Sequence, residues 1–104
     1  MSYRIIYTPE TEAELDTIYD HIATAAGTRV AGDFVDGIIT FLEGLETFPA
    51  RGTIRDIGIP GLRIIGYRHS ISVAFVVRAD EVIIVGVFRR GQNITDELLK
   101  ARLL

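Results

Sequence analysis

Hydrophobic positions recur at two periods along the chain, and the change of period separates helical from extended segments. Aromatic and β-branched residues alternate over residues 3–7, which predicts a first strand there that stops at Thr8-Pro9. Apolar residues then recur every three or four positions as far as Gly27, which predicts a helix over about 9–26 with Thr8 and Gly27 as its caps. A second apolar stripe predicts a helix over about 28–47. The connection between the two helices is short, so they form a helical hairpin.

The second half of the chain has the pattern of strands. Phe48-Pro49-Ala50-Arg51-Gly52 breaks the helical period, and stretches rich in valine and isoleucine follow at 62–67, 71–77 and 82–88. Turn signals at Arg68-His69 and at Arg78 to Glu81 join these strands into an antiparallel meander. A cap candidate, early acids and late bases predict a short terminal helix over Thr95 to Arg102. The predicted fold class is α+β, in the order β-α-α-β-β-β-α, with the helical hairpin packed on a small curled antiparallel sheet.

Length and composition are those of a single small domain. The 104 residues, 48% of them hydrophobic, suffice for one core, so we expect one domain over residues 1–104. There is no cysteine, which fits a reducing compartment and excludes disulfides and thiolate chemistry. The N-terminus has no signal-peptide pattern, and no apolar run approaches the roughly 20 residues of a membrane helix. We therefore expect a cytoplasmic protein that does not associate with membranes.

Charge is distributed unevenly along the chain. Residues 1–46 contain nine acidic residues against only Arg4 and Arg29, whereas residues 47–104 contain nine basic residues against five acidic ones. This separation predicts an acidic hairpin and a basic sheet, two faces with different roles. Because the net charge is −3, the surface as a whole is not a nucleic-acid footprint, and we expect no direct sequence-specific nucleic-acid binding.

Arginines at loops and strand ends are the best candidates for a functional site. Arginine presents a rigid, permanently charged fork that matches phosphates and carboxylates, so a cluster would suit a nucleic-acid backbone or an acidic partner. The alternative is that these arginines are scattered charges that pair with the acidic hairpin. Six could converge on one edge of the sheet: Arg51, Arg55, Arg63, Arg68, Arg89 and Arg90. Of these, we select Arg63, Arg68, Arg89 and Arg90 as candidates for target binding.

The sequence offers little support for catalysis. His69, beside the predicted turn, is the one proton-transfer candidate near the arginines, and it is more often a solvated loop residue than a base. His21 lies off the apolar stripe of the first helix and is a weaker candidate still. The chain has no hydrolase signature, phosphate-binding glycine loop or metal-ligand spacing, so we expect no catalytic residue, cofactor or metal.

Several stretches, in this order and spacing, resemble the ParE branch of the RelE/ParE toxin superfamily over almost the whole chain. These stretches are Tyr3 to Glu10, Phe48 to Gly52, Pro60 to Arg63, Tyr67 to Phe75 and Val82 to Gly91. Arg63 matches a position typical of the family. Many ParE sequences have a histidine, a small residue and an arginine just after the last strand, where this chain has Arg89-Arg90-Gly91-Gln92.

The resemblance implies a function and two partners. It implies a toxin of a type II toxin-antitoxin system that inhibits DNA gyrase by binding and is neutralised by a cognate ParD-like antitoxin. Two alternatives remain open: a ribosome-dependent mRNA endonuclease of the RelE type, with His69 as its base, or an inactive relative that only binds an antitoxin. Binding rather than catalysis is the leading interpretation.

Overall fold

The computed structural model describes residues 2–103 and contains three helices and five strands. A turn of 3₁₀ helix, Gly44–Glu46, follows the second helix. The elements in chain order are β1 (Arg4–Tyr7), α1 (Pro9–Ala26), α2 (Thr28–Glu43), β2 (Thr53–Ile54), β3 (Leu62–Tyr67), β4 (Ile71–Arg78), β5 (Glu81–Arg89) and α3 (Asp96–Leu103). The α+β class and the order of the predicted elements are confirmed, and β2 is an addition to them.

The five strands form one sheet in the order β1-β5-β4-β3-β2. The meander β3-β4-β5 is antiparallel as predicted, whereas β1 pairs with β5 in parallel, Ile5 lying opposite Val82. The sheet is therefore mixed rather than purely antiparallel, because the hairpin carries the chain back across the sheet between β1 and the meander. A register shift at Ala74/Phe75 leaves Val85 of β5 without a partner, and such a bulge increases the local twist.

The helix boundaries follow the capping residues. The Thr8 hydroxyl accepts a hydrogen bond from the Thr11 amide at 3.3 Å, and the Thr95 hydroxyl accepts one from the Leu98 amide at 3.1 Å. Gly27 ends α1 at φ 96°, a conformation that L side chains rarely adopt. The prediction for the second helix was too long: α2 ends at Glu43, and Gly44 leads into the tighter 3₁₀ turn.

Buried side chains form two clusters, one on each face of the sheet. The hairpin covers one face, where the core contains Leu15, Ile18, Ile38, Leu42, Leu45, Ile71, Val73, Phe75, Val82, Ile84 and Val87. The other face carries a smaller cluster that includes Leu62, Val76, Phe88 and Leu99 of α3. The predicted amphipathic stripes therefore do face the sheet, and α3 covers part of the opposite face as a third layer.

Side chains of α1 and α3 bond to the backbone of β5 at the end of its pairing with β1 and beyond it. The Thr11 hydroxyl donates to the Ile84 carbonyl at 2.8 Å, and the Glu14 carboxylate accepts the Val87 amide at 3.1 Å. Arg102 of α3 donates to both oxygens of Glu14, at 2.9 and 3.1 Å, and to the Val85 carbonyl at 3.2 Å. These bonds satisfy buried backbone groups that a longer β1 would otherwise pair.

Gly86 lies at the centre of this arrangement. A Cβ atom at Gly86 would lie 2.4 Å from the Phe88 ring and 2.5 Å from an Arg102 guanidinium nitrogen. The Arg102 guanidinium carbon is also 5.0 Å from the centroid of the Phe88 ring. The missing side chain therefore lets Arg102 reach across β5 to Glu14.

The short strand β2 has no signal in the sequence because two residues cannot show an alternating pattern. Thr53 pairs with Ile64 and Ile54 with Arg63. The preceding Gly52 has φ 72°, and a Cβ there would lie 2.2 Å from the Ile64 carbonyl oxygen. Glycine is thus the residue that lets this loop approach β3 closely enough to pair.

Tyr7 places a hydroxyl in the core without a hydrogen-bond partner among the described residues. Burial raises the pKa of Tyr7 above its ordinary value of 10.0, and the carboxylates of Glu43 and Glu46 raise it further. An unpaired buried hydroxyl costs about 1–3 kcal/mol, so this position reduces the stability of the free chain.

Tyr7→Phe should make the protein more resistant to alkali. Since the folded chain holds the phenolic proton more tightly than the unfolded chain, stability is lost as the pH rises above about 10 toward the raised folded pKa. Phenylalanine cannot ionise, so the variant should lose less unfolding free energy than wild type between about pH 8 and pH 11. Urea unfolding at both pH values measures this, with Tyr19→Phe as the matched control. An equal loss in wild type and Tyr7→Phe would refute the prediction.

Candidate functional site

Arg68 and His69 are the central residues of the four-residue turn, Tyr67 to Ser70, that joins β3 to β4. Both have positive φ, 50° and 59°, and the Ser70 amide donates to the Tyr67 carbonyl at 3.3 Å, as expected for the hairpin turn that matches strand twist. The Arg68 guanidinium carbon is 5.4 Å from the centroid of the Tyr67 ring. This turn fixes where Arg68 leaves the sheet.

Tyr67 in turn is held by α2. Its ring packs at 5.0 Å from that of Phe41 and at 6.3 Å from that of Phe34. A Cβ at Gly37 would lie 2.6 Å from the Tyr67 hydroxyl oxygen, so Gly37 permits the close approach of this side chain to α2. Phe34 and Phe41 of α2 therefore support the Arg68 turn from the side of the helical hairpin.

Arg89 and Arg90 lie where β5 ends, beside the Arg68 turn. The Arg90 amide donates to the Ser70 carbonyl at 2.8 Å, and the Arg89 amide donates to the Gln92 side-chain oxygen at 2.6 Å. Gly91 has φ 93°, which closes the turn. Gln92 thus caps the strand end, and the backbone carrying the two arginines is fixed on both sides.

An open cavity of about 260 Å³ lies between this strand end and the hairpin; we call it the end cavity. Its walls consist of apolar residues of α1, α2 and β4, together with His21, Ser70 and the two arginines. The full lining is Ile18, His21, Ile22, Phe34, Ser70, Ile71, Arg89 and Arg90. A neighbouring cavity of about 250 Å³ shares Phe34 and is lined by Arg68 with Val30 and Asp33. Of the four selected arginines, Arg89 and Arg90 therefore line the end cavity, and Arg68 lines the cavity next to it.

Arg63 does not belong to this group. It is half-buried on β3, and its guanidinium donates to the Arg51 carbonyl at 3.4 Å. It lies four positions before Tyr67, which at about 3.3 Å per residue places it roughly 13 Å along the strand from the end that carries the Arg68 turn. The expected convergence of six arginines on one edge is wrong, because Arg51 and Arg63 lie at the opposite end of β3 and Arg55 binds Asp96 at 2.8 Å.

The acidic hairpin does not neutralise the selected arginines. In residues 2–103 the ion pairs within 4.0 Å join Arg4 to Asp80 and Glu81, Arg55 to Asp96, and Arg102 to Glu14. None of these pairs includes Arg63, Arg68, Arg89 or Arg90. Within the described residues, none of the six candidate arginines therefore forms an ion pair with the acidic hairpin, and the cations around the end cavity remain available to an external anion.

Of the two histidines, His69 is solvated, the more common case for a turn residue, whereas His21, the weaker candidate, lines the end cavity. His69 is exposed in the turn and is not among the residues that line the end cavity, whereas His21 is. Its position three residues after Ile18 and one before Ile22 puts His21 at the margin of the apolar stripe, and that spacing could have identified it. Sequence reasoning missed His21 because it treated the stripe as a sharp boundary.

This geometry suits recognition of a group that is partly apolar and partly anionic. The floor of the end cavity can take an apolar side chain, while Arg89 and Arg90 at its margin, and Arg68 at the neighbouring cavity, offer charge-assisted hydrogen bonds to carboxylates or phosphates. Over residues 2–103, no group of three or more potential metal-ligating side chains occurs. None of the helices in that range combines the length and the apolar character required to cross a membrane.

Solved structures with the same architecture define the class of protein. A chain of a structure described as the chromosomal ParDE TA system from P. aeruginosa superposes with a TM-score of 0.72 at 28% identity, covering 85% of this chain and 96% of that one. An arginine-substituted variant of the E. coli toxin RelE in the free state superposes with a TM-score of 0.64 at 16% identity, covering 99% and 96%. The fold is that of the RelE/ParE toxins.

The family itself follows from the sequence match. Residues 5–94 match the family described as the ParE toxin of the type II toxin-antitoxin system parDE, so the chain belongs to the ParE toxin family. None of the curated protein sequences matches it significantly. The resemblance to ParE toxins noted in the sequence is confirmed, and proteins of this family act with an antitoxin partner.

Proposed function

We propose that this protein is a toxin that binds DNA gyrase and arrests the enzyme on DNA, with Arg68, Arg89 and Arg90 at the contact. The observation that carries the proposal is the end cavity, where Arg89 and Arg90, without a carboxylate partner among the described residues, lie beside an apolar floor. Arg68, equally without such a partner, lines the neighbouring cavity that shares Phe34. Arginines beside an apolar pocket are typical of the few residues that dominate a protein interface. Since gyrase acts on the chromosome, the toxin would act in the cytoplasm.

The second partner in this proposal is a ParD-like antitoxin that holds the toxin inactive. Family membership supports it. The antitoxin would wrap the toxin with a helix along the hairpin and an extended segment at the sheet, covering apolar surface and arginines together. Free toxin would then expose more apolar surface than the complex.

Ribosome-dependent mRNA cleavage is a second candidate, and His21 is the observation that favours it. His21 lines the end cavity with Arg89 and Arg90, which would combine a proton-transfer group with two cations that stabilise a phosphate. The two candidates differ in their dependence on this imidazole. A general base contributes about 10²–10⁴-fold to a rate, whereas a contact at the margin of a binding surface contributes little.

The test is a gyrase assay with purified toxin and supercoiled plasmid. We expect gyrase-dependent accumulation of cleaved plasmid, its reversal by the antitoxin, and nearly unchanged activity for His21→Ala. Folding of each sample is verified by circular dichroism. Failure of folded toxin to affect gyrase, combined with mRNA cleavage on ribosomes that His21→Ala abolishes, would replace the gyrase proposal with the nuclease. Inactivity in both assays would indicate a relative that only binds its antitoxin.

A further inference from the structure

Two acidic residues of the helical hairpin share cavities with the candidate arginines. Arg89 lines the end cavity and also a further cavity of about 460 Å³, to which α1 contributes Asp20. Arg68 lines the neighbouring cavity of about 250 Å³ together with Asp33 of α2. We call Asp20 and Asp33 the rim acids. Each of these two arginines therefore has a carboxylate in the wall of the same cavity, one from each helix of the hairpin.

The hairpin brings the rim acids to the same level, although they are distant in sequence. Asp20 lies seven positions before Gly27 and Asp33 six positions after it, so both lie about two turns from the connection between the helices. Both residues are exposed, and neither belongs to an ion pair in residues 2–103. Their charges are therefore available to act on whatever enters the cavities.

Carboxylates beside a pair of arginines discriminate between two kinds of anion. Duplex DNA carries about one negative charge per 1.7 Å of its axis, so a phosphate held by Arg89 and Arg90 brings further phosphates with it. Those phosphates would lie next to the rim acids, and juxtaposed like charges oppose binding. A carboxylate on a protein is a single charge whose neighbours can be neutral or basic. The rim acids therefore disfavour a nucleic acid and favour a protein segment.

We propose that Asp20 and Asp33 are specificity-determining residues, which exclude nucleic acid from the end cavity and select a protein segment whose acidic side chain is flanked by basic ones. The acidic side chain would bind Arg89 and Arg90, and the flanking lysines or arginines would face the rim acids. In assigning this segment to gyrase, and not to its DNA, the proposal rests on the proposed function. The exclusion of nucleic acid depends only on the charges of this chain.

Binding of a short labelled DNA duplex, measured by fluorescence anisotropy at about 0.1 M salt, tests the exclusion. The variant Asp20→Asn/Asp33→Asn removes both rim charges and should bind the duplex at least about 10-fold more tightly than wild type, because adjacent phosphates no longer meet carboxylates. The gain should disappear when Arg89→Glu/Arg90→Glu is added, since the duplex then loses the cations that hold it.

Glu10→Gln/Glu43→Gln is the matched control. It makes the same change of net charge, from −3 to −1, at two exposed acids of the same helices that line none of the three cavities. Each control position lies ten residues along its helix from a rim acid, which is about 15 Å and exceeds the Debye length of about 10 Å at this salt concentration. We expect the affinity of the control for DNA to remain within about 3-fold of wild type.

Potency against gyrase tests the selection of a basic flank. Because the target's basic side chains lose the carboxylates that face them, Asp20→Asn/Asp33→Asn should need at least about 10-fold more toxin for half-maximal plasmid cleavage. The control variant should stay within about 3-fold of wild type. Circular dichroism verifies that every variant is folded.

Each opposite result overturns the proposal. The absence of a gain in DNA affinity, or an equal gain in the control, would mean that the rim acids do not exclude nucleic acid. A gain that persists with Arg89→Glu/Arg90→Glu would place the DNA outside the end cavity. Full gyrase potency in Asp20→Asn/Asp33→Asn would remove the selection of a basic flank. If wild-type toxin leaves gyrase unaffected, the proposed function fails, and the DNA measurements still decide whether the rim acids exclude nucleic acid.

Discussion

The double variant Arg89→Glu/Arg90→Glu should lose at least about 100-fold of its potency against gyrase while it remains folded. The two arginines line the end cavity and take part in no ion pair within residues 2–103, so their reversal breaks no internal bond of that kind. An interface arginine that acts as an anchor contributes about 2 kcal/mol, and two coupled ones about 3 kcal/mol, which corresponds to about 100-fold in affinity. Glutamate at these positions also adds repulsion toward an acidic partner.

The measurement is the toxin concentration that gives half-maximal plasmid cleavage. The control variant, Arg78→Glu/Lys100→Glu, changes two exposed cations outside the end cavity and alters the net charge identically, from −3 to −7. Equal losses in both double variants would mean that overall charge, and not the end cavity, governs the interaction. Thermal unfolding within about 4 °C of wild type confirms that either variant is folded.

Glu14→Ala should be the more damaging change for folding, with a loss of about 2–3 kcal/mol. Glu14 and Arg102 are only 20% and 17% exposed, and the carboxylate accepts from the Val87 amide as well as from the guanidinium. Alanine leaves the Val87 amide without this acceptor and removes the partner of a largely buried cation, and each of these is costly. In a chain of about 100 residues the loss should lower Tm by about 10 °C or more.

Two comparison variants isolate the cause. Asp16→Ala, an exposed acid two residues further along α1, should change the unfolding free energy by less than about 0.5 kcal/mol. Glu14→Gln keeps an oxygen acceptor for Val87 and should recover part of the loss. If Glu14→Ala behaves like Asp16→Ala in urea unfolding, the link between α1, β5 and α3 does not stabilise the fold.

The sequence predicted those parts of the fold that local chemistry decides. Thr8, Gly27 and Thr95 marked helix ends by capping and by positive φ, and the structure has the helices ending there or one residue away. The parallel pairing of β1 with β5 and the two-residue β2 depend on contacts between distant parts of the chain. No period or turn signal records such contacts, which is why they were not predicted.

The candidate site likewise combines residues that the sequence could group and residues that only the folded chain brings together or separates. Arg89 and Arg90 could be grouped from the sequence because they are adjacent, and Arg68 joins them because the hairpin turn lies next to the end of β5. Arg63 was selected because it enters a predicted strand and matches a position typical of the family, yet strand length carries it to the other end of β3. His21 was missed because it lies next to the apolar stripe of α1 and not in it. Only the packed structure shows that a residue at this position faces the end cavity.

Gly86 also constrains the order in which substitutions around it can occur during evolution. The volume that a side chain at position 86 would need is already occupied by the Phe88 ring and the Arg102 guanidinium. A lineage could therefore enlarge residue 86 only after reducing residue 88 and also shortening residue 102 or losing the terminal helix. Substitutions at positions 86 and 102 are therefore coupled, although position 102 lies sixteen positions after position 86 in the sequence.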